Sequence, residues 1–150
     1  MVDFTSILSK KAELTSKPKP KPIGTYLAAI VGHPNQKEVK VQGEDKPVIS
    51  FSTKVLSPGP DVVLSPEDGD VSSWAPFRYD IWVDGPEGEY RLRTFLENSI
   101  GLTVKGKSYG ELLAECPGRQ LTIALRHRPY VDRNTGEAEI ATEIASTAKA

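Results

Sequence analysis

Cysteine, histidine and long apolar runs are all scarce in this sequence of 150 residues. Cys116 is the single cysteine, which excludes an intramolecular disulfide and fits a reducing compartment. The two histidines, His33 and His127, form no recognised zinc spacing with it. The longest apolar run, residues 26–31, is far too short to span a bilayer. We therefore expect a soluble intracellular protein that makes no use of a membrane.

Motifs for catalysis are equally sparse. Gly106-Lys107-Ser108 lacks the rest of a phosphate-binding P-loop, and no strand with a glycine-rich loop precedes it. Asp80 and Asp84 lie on one face of a predicted strand, where solvated acids are far commoner than Mg²⁺ ligands. We predict no metal, no cofactor and no enzyme activity.

The net charge of −1 conceals an uneven distribution. Residues 1–22 sum to +3, residues 57–90 to −7 and residues 91–150 to +2. A polyanion could therefore meet a basic face that the average does not reveal.

Residues 1–22 are predicted to form a flexible arm, and residues 23–150 one domain. Lys17, Lys19 and Lys21 alternate with prolines, which remove amide donors and favour an extended polyproline-II backbone. Either the arm contacts phosphates through these lysines, or it is a solvated tether.

Three strands are predicted in the first half of the domain, over residues 23–31, 48–56 and 77–84. A polar loop is predicted between the first two. The acidic, proline-rich segment 57–76 is predicted as a long loop anchored by Trp74.

Period-2 alternation places Lys54 on the polar face of the second predicted strand, and Arg78 and Trp82 on that of the third. We predict that these three residues contact nucleic acid. A tryptophan on the polar face of a strand does not help solubility, so it needs another explanation. Either it stacks on a base, or it packs against the long loop or a helix.

Two helices are predicted next. Leu92, Phe95, Leu96 and Ile100 recur at helical spacing, with Gly101 as the left-handed residue after the helix. Ser108 and Glu111 form a capping box for the second.

Residues 119–145 predict a long β-hairpin, because alternating residues flank a turn that contains Asn134 and Gly136. Basic and aromatic side chains gather near its tip, which favours a contact with nucleic acid. They are Arg126, His127, Arg128, Tyr130 and Arg133.

The predicted order is three strands, one or two helices and two strands. An OB-fold-like five-stranded antiparallel barrel, mostly β, has its helix between strands 3 and 4 in this way. Such barrels bind oligonucleotides or oligosaccharides through the face of strands 2 and 3 and through the loops that join strands 1–2 and 4–5. Trp82 is predicted to lie on strand 3, and the basic hairpin is the connection of strands 4 and 5.

Several short segments also resemble phage-encoded single-stranded-DNA-binding proteins of OB fold, over roughly residues 20–147. The segments are Pro22-Ile-Gly-Thr-Tyr26, Ser99-Ile-Gly101, Glu111-Leu-Leu113, Pro117-Gly118 and Thr135-Gly136-Glu137. The resemblance implies an accessory of replication or recombination that coats single strands in the host cytoplasm. Its partners would be phage replication proteins or further copies of the chain. Such proteins often end in an acidic tail, whereas this chain ends Ser146-Thr-Ala-Lys-Ala150, so the acidic loop 57–76 could recruit partners instead.

A structural or assembly protein of a viral particle is the alternative. The proline-rich arm and the acidic loop would then contact neighbouring subunits in the virion, and the basic and aromatic residues would anchor those interfaces.

Overall fold

The chain is mostly β, with helices in the connection between its fourth and fifth strands. A computed structural model describes residues 4–9, 11–12 and 19–150. Its strands are β1 (Gly24–Ile30), β2 (Asn35–Val41), β3 (Glu44–Pro58), β4 (Phe77–Trp82), β5 (Gln120–Val131) and β6 (Ala138–Lys149). Its helices are α1 (Thr5–Ser9), α2 (Gly85–Thr94) and α3 (Tyr109–Glu115), and a π-helical turn (Phe95–Ser99) continues α2.

All the described strands belong to one antiparallel sheet organised around β3. The first half of β3 pairs with β2, its middle with β4, and its second half with β1. The other edge of β1 pairs with β5, which forms a hairpin with β6. The predictions of a mostly β antiparallel fold, with helices before the final hairpin, are confirmed.

The sheet is open between β4 and β6. Both strands run parallel to β1, because each is separated from it by two antiparallel pairings. Within the described part of the chain, no backbone pairing joins them. Closure into a barrel therefore stays a prediction.

The prediction of a polar loop between the first two strands is wrong in part. Residues 35–41 form β2 and pair in register with residues 44–50 of β3. Gln42 and Gly43 turn the chain with φ angles of 52° and 84°. The described sheet thus has six strands where five were predicted.

The core lies between one face of the sheet and the helical segment. Phe95 fixes the contact, because its ring centroid lies 4.7 Å from that of Phe51 and 5.1 Å from that of Tyr79. Alternate residues of β1 and β5, such as Tyr26 and Ile123, are buried beside them. Each large apolar side chain buried here stabilises the fold by about 1.5–3 kcal/mol.

The helix boundaries follow the predicted signals. Gly101 adopts a φ of 81°, and the Leu102 amide donates to the Leu96 carbonyl at 2.9 Å. Ser108 Oγ accepts a hydrogen bond from the Glu111 amide at 3.2 Å, which caps α3. Across the described ranges, every helix is too short or too polar to cross a membrane.

Trp74 anchors the long loop, as predicted. Its side chain is 5% exposed, and its ring packs edge-on against Tyr26 at 5.6 Å. The indole Nε1 donates to the Asp68 carbonyl at 2.8 Å. The loop contains two short 3₁₀ turns, Pro66–Asp68 and Val71–Ser73, and is therefore folded against the sheet.

Candidate nucleic-acid interface

The β5–β6 hairpin presents two guanidinium groups on one exposed face. Pairing with β1 ends at Leu125, and beyond it β5 pairs with β6 alone among the described strands. Arg126 Nε lies 2.9 Å from Glu143 Oε1, and Arg128 Nε lies 3.0 Å from Glu143 Oε2. The two arginine side chains are 60% and 54% exposed. Two positive charges share this one carboxylate, and a second carboxylate, Glu139, stands opposite Tyr130 nearer the turn.

The shared carboxylate is ionised at neutral pH. Partial burial of Glu143 opposes ionisation, but the hydrogen bonds and charges of both guanidinium groups outweigh it and lower the pKa of Glu143. Both contacts use Nε, which leaves the terminal nitrogens of Arg126 and Arg128 to meet a second anion, such as a phosphate.

Tyr130 extends the same face toward the turn of the hairpin. The guanidinium carbon of Arg128 lies 5.8 Å from the centroid of the Tyr130 ring, within the range of a cation–π contact. Arg133 is exposed in the turn at residues 133–135. A base that stacked on Tyr130 would therefore lie beside a cation.

His127 faces the other side of the hairpin and holds the end of the arm. Its Nε2 lies 2.7 Å from the Lys21 carbonyl oxygen, a geometry in which the ring donates. The Lys21 amide donates to Thr142 Oγ1 at 2.9 Å. His127 was predicted to contact nucleic acid, but the structure separates it from the Arg126 and Arg128 face and gives it this bond.

Lys19 and Lys21, at the end of the arm, contact the long loop. Lys19 Nζ lies 2.5 Å from Glu67 Oε2, and Lys21 Nζ lies 5.0 Å from the centroid of the Trp74 ring. The hydrogen bond and charge of Glu67 raise the pKa of Lys19. Lys17, also predicted to contact phosphates, lies outside the described residues.

Lys54 is likewise used to hold the loop. Its ammonium donates to the Ser72 carbonyl at 2.6 Å, within the turn that precedes Trp74. It was predicted to contact nucleic acid, but the structure does not bring it together with the hairpin arginines.

β4 presents Arg78, Asp80 and Trp82 on the outward face of the sheet. Asp80 accepts a hydrogen bond from Ser50 Oγ at 2.6 Å and lies 3.2 Å from Arg78 Nε and 3.5 Å from Lys37 Nζ. One carboxylate again lies between two cations. Trp82 is 38% exposed, so the prediction that it lies outside the core is confirmed.

A groove follows the open seam between β4 and β6, and we call it the seam groove. Its upper hollow, of about 540 Å³, lies between Pro76–Asp80 and Thr142–Ile144. Its lower hollow, of about 520 Å³, lies between Tyr79–Trp82 and Ala145–Thr147 and is bordered by the helical segment 90–99. Arg78 and Glu143 both line the upper hollow, so the groove joins the β4 face to the hairpin face.

Sequence reasoning missed three residues of this region: Lys37, Tyr90 and Arg91. Lys37 was assigned to a loop, and its position beside Asp80 depends on the undetected strand β2. Tyr90 and Arg91 lie on the groove side of α2. The exposed aromatic residue just before the apolar stripe of that helix was the available signal.

No cluster of three or more histidine, cysteine, aspartate or glutamate side chains suited to a metal occurs among the described residues. Asp80 and Asp84 instead contact the side chains of Lys37, Arg78 and Lys46. Burial raises the pKa of the Cys116 thiol to about 11, so the thiol stays protonated at neutral pH.

The candidate interface thus consists of Arg126, Arg128 and Tyr130 on the hairpin, together with Arg78 and Trp82 on β4. The resemblance of the chain to phage single-stranded-DNA-binding proteins stays a prediction. No protein-family model and no curated protein significantly matches this chain.

Proposed function

We propose that this protein binds single-stranded DNA with little sequence preference and serves phage replication or recombination in the host cytoplasm. One observation carries the proposal: Arg78 and Trp82 of β4 line the seam groove, and Glu143, which pairs with Arg126 and Arg128 of the hairpin, lines its upper hollow. Cations meet the phosphates and aromatic faces stack the bases in sequence-tolerant binders. The role is non-catalytic and needs no cofactor, and replication proteins or further copies of the chain are the protein partners.

An OB-like barrel is the finer fold that we propose. β1 and β2 pair in succession along β3, as two halves of one barrel strand would. β1 then pairs with β5, a helical connection separates β4 from β5, and the seam groove marks where the barrel would close. OB folds bind oligonucleotides on the face equivalent to β3 and β4 and through the final hairpin, which supports the assigned interface.

Titration of oligo-dT against the double variant Arg126→Ala/Arg128→Ala tests this function. We expect weaker binding, because two phosphate-contacting cations are removed. The slope of log K against log salt should also shrink in magnitude by about 0.7 for each phosphate that is no longer neutralised. Both side chains are more than half exposed, so denaturation curves should show a folded variant.

Arg93→Ala/Arg119→Ala is the matched control, because it removes the same charge elsewhere. Arg93 pairs with Glu97 on the helical segment, and Arg119 lies beside Glu115 before β5. Equal losses of affinity in the two double variants would mean a general charge effect. Unchanged binding by a stable hairpin variant would contradict the assignment.

The second candidate is a structural or assembly protein of a viral particle, and α1 favours it. Phe4, Ile7 and Leu8 are all exposed, at a spacing that places them on one side of a helix. Such an apolar face on an arm is suited to a neighbouring subunit. Light scattering on the wild type and on Ile7→Ser/Leu8→Ser tests this: an assembly that the variant fails to form, with no oligo-dT binding by the wild type, would favour the particle protein.

A further inference from the structure

The lower hollow of the seam groove is lined by both aromatic and polar side chains. Trp82 on β4 and Tyr90 on α2 both line it, and they are 38% and 69% exposed. Single exposed aromatic residues are common on protein surfaces. Two of them at one hollow indicate a surface suited to a flat ring.

The floor of this hollow is held in place by packing and by a hydrogen bond. Phe95, which also lines the hollow, is 4% exposed and packs against Phe51 and Tyr79 of the sheet. Ser99 Oγ lies 2.7 Å from Thr147 Oγ1, a hydrogen bond that joins the π-helical turn to β6. The floor therefore keeps its shape when the exposed side chains above it rearrange.

Polar groups border the rest of the hollow. Asn98 and Thr94 contribute an amide and a hydroxyl from the helical segment, and Ser146 contributes a second hydroxyl from β6. Arg91 and Asp80 line the same hollow, and the Asp80 carboxylate is paired with Arg78 and Lys37. The volume of about 520 Å³ lies within the roughly 300–1,000 Å³ of small-ligand sites. A suitable ligand is flat, has hydrogen-bonding edges and carries negative charge.

We propose that this hollow takes one unstacked base of a bound single strand. Trp82 and Tyr90 contact the base faces, Asn98 and Thr94 lie at its polar edge, and Arg91 meets the adjoining phosphate. The assignment rests on the proposed function and adds to the hairpin a second contact, at the lower end of the same groove. The strand would run along the seam from the hairpin to α2.

Photocrosslinking with oligo-dT that carries 5-iododeoxyuridine tests the assignment, because this base crosslinks to aromatic residues on which it stacks. We expect mass spectrometry to locate crosslinks at Trp82 or Tyr90. Tyr90→Ala should weaken oligo-dT binding by about 5-fold or more, up to roughly 150-fold for a full stack. Tyr90→Phe keeps the ring and should bind as the wild type does. Because Tyr90 is exposed, denaturation curves of both variants should match the wild type.

The outcomes separate this assignment from the proposed function. Crosslinks confined to Tyr130, with normal binding by Tyr90→Ala and weak binding by Arg126→Ala/Arg128→Ala, would overturn the base site and leave single-strand binding in place. Equal losses of affinity in Tyr90→Ala and Tyr90→Phe would also overturn it, because the ring would not be the feature recognised. A wild-type protein that neither binds nor crosslinks would refute the function and the base site together.

Discussion

Trp82 lies partly in solvent and partly against the sheet. It stands directly opposite Val48 of β3, which is 1% exposed, while more than a third of the Trp82 residue surface remains accessible. Its contribution to stability should therefore be smaller than that of Trp74, which is 5% exposed and packs against Tyr26.

The substitution Trp82→Ala should separate binding from stability. We expect it to weaken oligo-dT binding by about 1–3 kcal/mol, the range for removing a base–aromatic stack. Truncating a core tryptophan lowers the free energy of unfolding by roughly 3–5 kcal/mol, and we expect Trp74→Ala to show a loss of this size. The loss for Trp82→Ala should be well below it. Denaturation and titration of both variants measure this. If Trp82→Ala destabilises the protein as much as Trp74→Ala does, Trp82 is chiefly a packing residue.

At the residue scale, the sequence predicts the chemistry of a side chain better than its partner. The alternation in β4 placed Trp82 outside the core correctly, because that inference needs local residues only. Lys21 and Lys54 were predicted to contact nucleic acid from their charge and from their places in the arm and on a polar strand face. Their partners, Trp74 and Ser72, lie far along the chain, and no local pattern indicates them.

At the element scale, the aspartates of the long loop accept hydrogen bonds that fix its backbone. Asp61 accepts hydrogen bonds from the amide and hydroxyl of Thr25 at 3.1 Å and 2.6 Å. Asp68 accepts from the Ser65 amide at 2.7 Å, and Asp70 accepts from the Ser72 amide at 3.0 Å. These carboxylates fold the loop, although the sequence predicted an acidic surface for partners.

Acid should therefore loosen this loop. Hydrogen bonds from Thr25, Ser65 and Ser72 lower the pKa values of Asp61, Asp68 and Asp70 below 3.8. A lowered folded-state pKa gives stability that is fully present above 3.8 and is lost as the pH falls through the lower folded-state values. Trp74 fluorescence in a Trp82→Phe background should report a transition below about pH 4.

Asp61→Ala provides the control for this transition. It removes the acceptor of the Thr25 amide, so the acid transition should become smaller and the loop less ordered at neutral pH. A Trp74 signal that stays constant to about pH 2, or that changes well above about pH 4, would contradict a role for these carboxylates.

Elements with a strong local pattern were predicted well. The final hairpin forms where expected, with β6 extending to Lys149. The helix predicted through Leu92 and Ile100 forms as the end of α2 and the π-helical turn Phe95–Ser99. β2 was missed because, among the described strands, it pairs with β3 alone, and most of its residues are exposed. An edge strand of this kind needs no apolar face, so its sequence resembles a polar loop.

At the scale of the whole molecule, residues 19–22 form a strap that joins the final hairpin to the long loop. The Lys21 backbone bonds to His127 and Thr142 of the hairpin, while its ammonium lies over Trp74 of the long loop. The buried Tyr26 hydroxyl donates to the Pro22 carbonyl at 2.6 Å. These four residues were predicted as the end of a flexible arm, but they connect two parts of the sheet surface.

We expect N-terminal truncations to show that the stably folded unit begins at the strap, at residue 19. A chain of residues 19–150 keeps all of these interactions and should match the full chain in stability. A chain of residues 23–150 lacks three hydrogen bonds and leaves the Tyr26 hydroxyl without its acceptor. At about 0.5–1.5 kcal/mol for each hydrogen bond, the stability should fall by about 1.5–4.5 kcal/mol. Urea denaturation of the two truncations measures the difference. The full chain is the reference, and equal stability of all three proteins would mean that the strap rests on the sheet without stabilising it.

If residues 19–150 also bind oligo-dT with the salt slope of the full chain, residues 1–18 make no phosphate contact, and α1 is left for the subunit contact that its apolar face suits.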